Sequence, residues 1–126
     1  MEQYSHADIT KRILGAAFEV HGALGPGFLE SIYEEALVKE FQRNALAFRR
    51  QPEIDVSYKG EIIGTHRLDL LVEGCVVVEL KAVNNLIDAH SATALSYLTA
   101  TGLSVALLLN FSKPSLEYKR LVRNHK

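Results

Sequence analysis

This sequence has one cysteine, no tryptophan and no marked excess of charge of either sign. The single cysteine excludes an intrachain disulfide and a zinc site built from cysteines. Fourteen basic residues face fifteen acidic ones, which gives a formal net charge of −1. Such a chain exerts no global attraction on nucleic acid, so a partner of that kind must be held by a local basic patch.

Long hydrophobic runs are missing too. The run VALLLNF is far too short to span a bilayer, and the first residues lack the pattern of a signal peptide. We therefore expect no membrane contact and a cytoplasmic location. The chain has 126 residues, of which 48% are apolar and 23% charged, as in ordinary globular proteins. This length predicts a single domain over residues 1–126.

The apolar pattern predicts an α/β fold. Apolar residues recur at spacings of three and four on both sides of the segment GALGPG, residues 22–27, which predicts two helices separated by a break. Alternating residues and two turn signals then predict three antiparallel strands, near 52–58, 61–72 and 75–82. A third helix ending at Gly102, an apolar strand and a weak edge strand follow.

The predicted order of elements is ααβββαββ, a mixed sheet flanked by helices. The last helix connects two strands of one sheet, so a right-handed crossover and a parallel pairing are expected there. Both central strands are apolar, with one exception that raises a question about function.

Two opposite charges interrupt the strand VVVELKA, residues 76–82. Glu79 and Lys81 are two residues apart, so their side chains point to the same face. The preceding strand carries Asp69, and pairing about the turn at Glu73–Gly74 sets Asp69 opposite position 78 or 79. Neighbouring carboxylates repel each other unless a cation lies between them.

Asp69, Glu79 and Lys81 are the minimal set for metal-assisted phosphodiester hydrolysis. Mg²⁺ takes oxygen ligands and often uses one or two carboxylates, and a nearby lysine can orient water or stabilise charge at a phosphate. The alternative is an ion pair at the exposed end of a sheet, which is common in proteins. The hairpin, the apolar surroundings of Glu79 and the helix and strand that follow favour a nuclease core.

The segment GFLESIY, residues 27–33, reads G-x-x-E-x-x-Y. Together with RLDLLVEGCVVVELKAV it resembles the GxxExxY family of small bacterial and archaeal proteins, which is assigned to the PD-(D/E)XK nuclease superfamily. The resemblance extends over residues 6–123. It implies a restriction-endonuclease-like fold and a metal site on neighbouring core strands, with Mg²⁺ or Mn²⁺ as the cofactor.

The resemblance also implies roles for individual residues. Asp69 and Glu79 match the metal-binding acids, and Lys81 matches the lysine of the E-x-K element. Glu30 matches the motif glutamate, which in related nucleases often completes the metal site. Tyr33 is expected to support the site through its phenol, with burial against the sheet as the alternative.

The third helix departs from the family pattern. Family members usually read H-x-x-Q after the E-x-K strand, whereas this chain keeps His90 but has Thr93 in place of the glutamine. Tyr97, one turn further along, is a candidate to serve instead. His90 either binds phosphate or is satisfied by the backbone at the helix start.

Two functions are therefore weighed. The first is a Mg²⁺-dependent nuclease acting on nucleic acid, with DNA as the favoured substrate and a two-fold homodimer as the arrangement for cutting a duplex. The second is a catalytically degenerate module that keeps the nuclease fold to bind nucleic acid or protein.

Overall fold

The computed structural model describes residues 6–125. Two helices come first, followed by five strands, a third helix and two more strands. The elements are α1 (Ala7–Leu24), α2 (Glu30–Arg43), β1 (Phe48–Arg50), β2 (Glu53–Tyr58), β3 (Glu61–Arg67), β4 (Leu70–Val72), β5 (Val76–Lys81), α3 (Asp88–Thr101), β6 (Val105–Asn110) and β7 (Glu117–Val122). The α/β class and the mixed sheet flanked by helices are confirmed.

The main sheet has five strands in the order β1-β4-β5-β6-β7, and β2 and β3 form a separate two-stranded ribbon. The β5 and β6 strands are parallel, as the strand–helix–strand order predicted, while the other neighbours are antiparallel. This places β5 at the centre of the sheet.

The predicted order differs from the structure by two short strands. The segment predicted as one strand over 61–72 is divided into β3 and β4, and β1 was not predicted. Both differences have one physical reason, because a single long hairpin bends and each of its two arms is thereby divided into two strands. The register is the same on both sides of the bend, with Arg50 opposite Leu70 and Glu53 opposite Arg67.

Two backbone hydrogen bonds cross the bend, from Gln51 N to Asp69 O (2.8 Å) and from Leu68 N to Pro52 O (3.0 Å). Gln51 has a positive φ of 51°, which is rare for a residue other than glycine. The bend turns the ribbon away from the main sheet and leaves Asp69 between strands β3 and β4.

The sheet separates two hydrophobic cores. Even-numbered residues of β5, such as Val78 and Leu80, face α1 and α2 and belong to the larger core. Val77 faces the other way and packs with Ala94, Tyr97 and Leu98 of α3 in the smaller core. Since side chains alternate along a strand, Glu79 and Lys81 share the face of Val77. The site therefore lies on the α3 side of the sheet.

None of the helices formed by residues 6–125 is both long and apolar enough to cross a membrane.

Candidate metal and phosphate site

Asp69 and Glu79 meet next to the bend. The β4–β5 register pairs Leu70 with Val78, so the next positions along the two chains are those of Asp69 and Glu79. Asp69 Oδ2 accepts a hydrogen bond from the backbone N–H of Leu80 at 2.8 Å, which fixes this carboxylate against β5. The predicted approach of the two acids on neighbouring segments is therefore present.

Glu79 is a buried carboxyl group with an incomplete set of partners. Its residue exposure is 7%. Burial first, and the charge of Asp69 second, raise the pKa of Glu79 to about 8. Within the described residues, Glu79 Oε1 is buried and has no hydrogen-bond partner. A buried acceptor without a donor is costly in free energy, so this oxygen is suited to a ligand that supplies positive charge.

Lys81 lies beside Glu79 at the end of β5. Its Nζ is 3.6 Å from Glu79 Oε2. The side chain of Lys81 is 24% exposed, whereas that of Glu79 is only 9% exposed. The lysine therefore reaches from the buried carboxylate towards solvent. This ammonium can contact a phosphate or a water molecule without leaving the glutamate.

The pKa of Asp69 is also raised. Burial is the main cause, and the charges of Glu34 and Glu30 add to it, whereas the Leu80 N–H and Lys81 act in the opposite direction. The site thus gathers more negative charge than its one lysine balances. That imbalance is the electrostatic condition under which a divalent cation binds.

Glu30 begins α2 and is exposed to solvent. Its charge raises the pKa of both Asp69 and Glu79, so it contributes to the field of the site. Among residues 6–125, however, no three His, Cys, Asp or Glu side chains converge closely enough to hold a metal ion. A direct contact between Glu30 and a metal stays a prediction.

Glu34 belongs to the surroundings of the site, because its charge acts on Asp69, and it was not among the residues predicted from the sequence. It is buried, with an exposure of 7%. Glu34 Oε2 accepts hydrogen bonds from Arg50 Nε at 2.7 Å and from Gln51 Nε2 at 3.2 Å. Gln51 also donates its backbone N–H to the carbonyl of Asp69, so α2 is tied to the bend that carries the acid. The i+4 spacing from Glu30 was the available signal.

Tyr33 is fully buried, with an exposure of 0%. Its hydroxyl donates to the carbonyl of Gly25 at 2.6 Å and accepts from Phe28 N at 3.2 Å. Its ring stacks on Phe111 with the ring centroids 4.7 Å apart. These contacts hold the loop between α1 and α2 against the core, as the packing alternative expects. Support of the metal site by this phenol stays a prediction.

The three candidates on α3 differ in their surroundings. His90 Nδ1 accepts a hydrogen bond from Ile87 N at 3.1 Å, so its other ring nitrogen carries the proton in the neutral form. Thr93 is exposed, and its hydroxyl donates to the carbonyl of Ala89 at 3.0 Å. Burial, and then the charges of Glu79 and Asp69, raise the pKa of Tyr97 to about 12. Among these three residues, Tyr97 is therefore the one whose phenol is affected by the charges of both carboxylates.

The sequence offers seven basic residues as candidate phosphate contacts, and some of them have partners within the protein. The candidates are Arg43, Arg49, Arg50, Lys113, Lys119, Arg120 and Arg123. Arg50 pairs with Glu34 and Glu35, and Lys113 Nζ contacts Asn85 Oδ1 at 3.1 Å. A local basic patch made of these seven candidates stays a prediction.

The fit of a divalent cation rests on this chemistry. Asp69 and Glu79 supply hard oxygen ligands on adjoining strands, and the buried Glu79 Oε1 has no donor among the described residues. Mg²⁺ keeps several water molecules and often binds one or two carboxylates. A site on which no third acid of the described residues converges is therefore compatible with it. Coordination by oxygen also suits Mn²⁺.

Comparison with solved structures places the fold. The crystal structure of SSO0001 superposes with a TM-score of 0.62 at 13% identity, covering 77% of this chain and 52% of that one. An alkaline exonuclease from Laribacter hongkongensis aligns with a TM-score of 0.48 at 14% identity, covering 75% of this chain and 56% of that one. The aligned region thus spans about half the length of each structure. The first likeness supports the restriction-endonuclease-like fold alone.

Sequence comparison gives the family. No curated protein matches the chain. The family model described as PD-(D/E)XK nuclease superfamily matches residues 7–121. This match includes both core acids, the E-x-K lysine and all ten helices and strands except the last residue of β7. The chain belongs to the PD-(D/E)XK nuclease superfamily.

Proposed function

We propose that this protein is a Mg²⁺- or Mn²⁺-dependent nuclease of the GxxExxY type that hydrolyses phosphodiester bonds, with DNA as its substrate. The observation that carries the proposal is the pair Asp69 and Glu79 beside Lys81, with Glu79 Oε1 buried and lacking a donor in the described chain. A purely structural ion pair does not require a second carboxylate at this place.

The residues divide the work as follows. Asp69 and Glu79 would hold the cation, and the nearby charge of Glu30 would add to their attraction for it. When bound, a divalent cation neutralises charge on the phosphate and lowers the pKa of water. Lys81 extends from Glu79 towards solvent, where its ammonium orients the attacking water or stabilises the developing charge at phosphorus.

The surrounding contacts keep these groups in position. The Leu80 N–H fixes one oxygen of Asp69, and Gln51 holds the same residue through its carbonyl. The charges of Glu79 and Asp69 act on the phenol of Tyr97 in α3, and its pKa, raised to about 12, keeps this phenol protonated at ordinary pH values. A neutral phenol can donate to a phosphate oxygen or a carboxylate.

The test is incubation of the purified protein with DNA and RNA, single- and double-stranded, in Mn²⁺ or Mg²⁺. Lys81→Ala and Asp69→Asn are expected to lower the cleavage rate about 100-fold or more, as loss of a charged group at a reaction centre does. Lys39→Ala is the matched control, because Lys39 is an exposed lysine of α2. Cleavage that persists in Lys81→Ala and Asp69→Asn contradicts the proposal.

A binding module without catalysis is the second candidate. Thr93 favours it, because its hydroxyl is bonded to its own helix and is shorter than a glutamine amide. On this alternative, the wild-type protein binds nucleic acid with divalent cations present and leaves it intact. A two-fold dimer and a cytoplasmic location stay predictions from the sequence.

A further inference from the structure

A cleft lies between the β2–β3 ribbon and α3. Its volume is about 460 Å³, within the roughly 300–1,000 Å³ typical of small-molecule sites. The ribbon and the helix each supply part of its lining. The lining residues are Ile54, Val56, Ser57, His66, Thr93, Ser96, Tyr97, Thr99 and Ala100.

The lining suits a neutral occupant. None of these residues, all from the described part of the chain, is an aspartate, glutamate, lysine or arginine. A phosphate or a charged peptide end would find no opposite charge here. Apolar side chains and hydroxyl groups form the walls, which match a flat heterocycle with polar edges.

The hydroxyl groups of α3 are set to accept hydrogen bonds. Thr93 Oγ1 donates to the Ala89 carbonyl, Ser96 Oγ to the Thr93 carbonyl and Thr99 Oγ1 to the Leu95 carbonyl. Each hydroxyl proton is thereby used, and the oxygen lone pairs remain for a donor in the cleft. The imino and amino groups of nucleobases are such donors.

The cleft adjoins the carboxylate site through Tyr97. Tyr97 lines the cleft and packs in one cluster with Val77, which shares its face of β5 with Glu79 and Lys81. The charges of Glu79 and Asp69 act on its phenol, in agreement with this placement. The imidazole of His66 stacks on the Tyr97 ring, with centroids 4.4 Å apart and planes at 29°. His66 is otherwise exposed, so this pair offers an aromatic surface beside the site.

We propose that this cleft receives one unpaired nucleobase of a strand whose phosphate lies at Asp69, Glu79 and Lys81. The inference rests on the proposed nuclease function and specifies its substrate. A base within a duplex is stacked and paired, and must be flipped out before it can enter such a cleft. Single-stranded nucleic acid is therefore the preferred substrate.

The test measures binding separately from cleavage. Fluorescence anisotropy follows a labelled single-stranded oligothymidylate, the same strand in a duplex, and an abasic strand of equal length. The protein carries Lys81→Ala and is kept in Mg²⁺, so that the strand is not cut. Ser96→Leu fills the cleft, and Ala92→Leu is its control, because Ala92 is exposed on the same helix outside the lining.

Ser96→Leu is expected to weaken single-strand binding about 10-fold, the order of one lost base–aromatic contact, while Ala92→Leu leaves it unchanged. The abasic strand should bind weakly and respond to neither change. His66→Ala, on the exposed ribbon, removes the stacked ring and should weaken binding by a similar factor even if Ser96→Leu misfolds.

Binding that is equal in Ser96→Leu, His66→Ala and the control overturns the proposal, as does equal affinity for the duplex or no binding to the single strand. Failure of the nuclease proposal is seen separately, as intact DNA and RNA after incubation with the wild-type protein and Mn²⁺. In that case the anisotropy series still decides whether the cleft receives a base.

Discussion

Replacing Glu79 by glutamine is expected to stabilise the metal-free protein above neutral pH. Glu79 is buried beside Asp69, and its pKa rises from 4.5 to about 8 on folding. Glutamine has nearly the same shape and carries no charge. The substitution therefore removes the cost of ionising a buried carboxyl next to another one.

The sign of the pH dependence follows from proton binding. Between the ordinary pKa of 4.5 and the folded value of about 8, the folded protein keeps a proton that the unfolded chain has lost. The contribution of this group to the free energy of unfolding is present in full below pH 4.5 and is lost as the pH rises through about 8. At 1.36 kcal/mol per pKa unit, the upper limit of the loss is about 5 kcal/mol.

Urea unfolding followed by circular dichroism in EDTA checks this expectation at a mildly acidic and a mildly alkaline pH. The free energy of unfolding of wild type should fall between the two conditions, and that of Glu79→Gln should fall by several kcal/mol less. Glu61→Gln is the matched control, because Glu61 is an exposed glutamate of β3. An equal pH dependence in Glu79→Gln and wild type refutes the reasoning.

Three further outcomes follow from the structure. Arg50→Ala should lower the free energy of unfolding by about 1–3 kcal/mol, because it leaves the buried carboxylate of Glu34 short of a donor. Its control, Arg43→Ala, removes an ion pair on the helix surface and should change the free energy of urea unfolding by less than about 1 kcal/mol. Tyr33→Phe should lower the free energy of unfolding by about 1–2 kcal/mol, because the two hydrogen bonds of its hydroxyl are lost. Tyr58→Phe on the exposed ribbon should leave it unchanged in the same assay. If Tyr33→Phe abolishes cleavage without changing stability, the phenol of Tyr33 belongs to the metal site instead. Mg²⁺ should raise the melting temperature of wild type more at alkaline than at acidic pH, because protons compete for the carboxylates, and a shift of equal size in Glu79→Gln would argue against a metal site.

Much of the fold could be predicted because its signals are local. The period of apolar residues indicated the first two helices, and the glycine at position 102 indicated the end of the third. The strand–helix–strand order indicated the parallel pairing of β5 and β6. The division of the long hairpin was missed, because the alternation of residues 61–72 continues past the bend. Nothing local distinguishes a strand that changes sheets from one that does not.

The exposed faces of the helices were also only partly predictable. The apolar spacing of the second helix, in which Ile32 is followed by Ala36, predicts burial of Ile32. Ile32 is 44% exposed instead, whereas Tyr33 and Glu34 are buried. Burial of Glu34 is possible because Arg50 and Gln51, which arrive from the bend, satisfy its carboxylate. The burial of Glu34 thus depends on partners that are distant in the chain, and the helical period alone does not predict it.

The sequence by itself determined which groups belong together on β5, because a strand alternates its side chains and so sets Glu79 and Lys81 on one face. It also set the turn that brings Asp69 alongside. Only the tertiary structure decided how deeply Glu79 is buried, how Gln51 holds Asp69, and that the ribbon and α3 enclose a cleft. Desolvation and enclosure depend on elements distant in the chain, and a local pattern of residues does not specify where those elements pack.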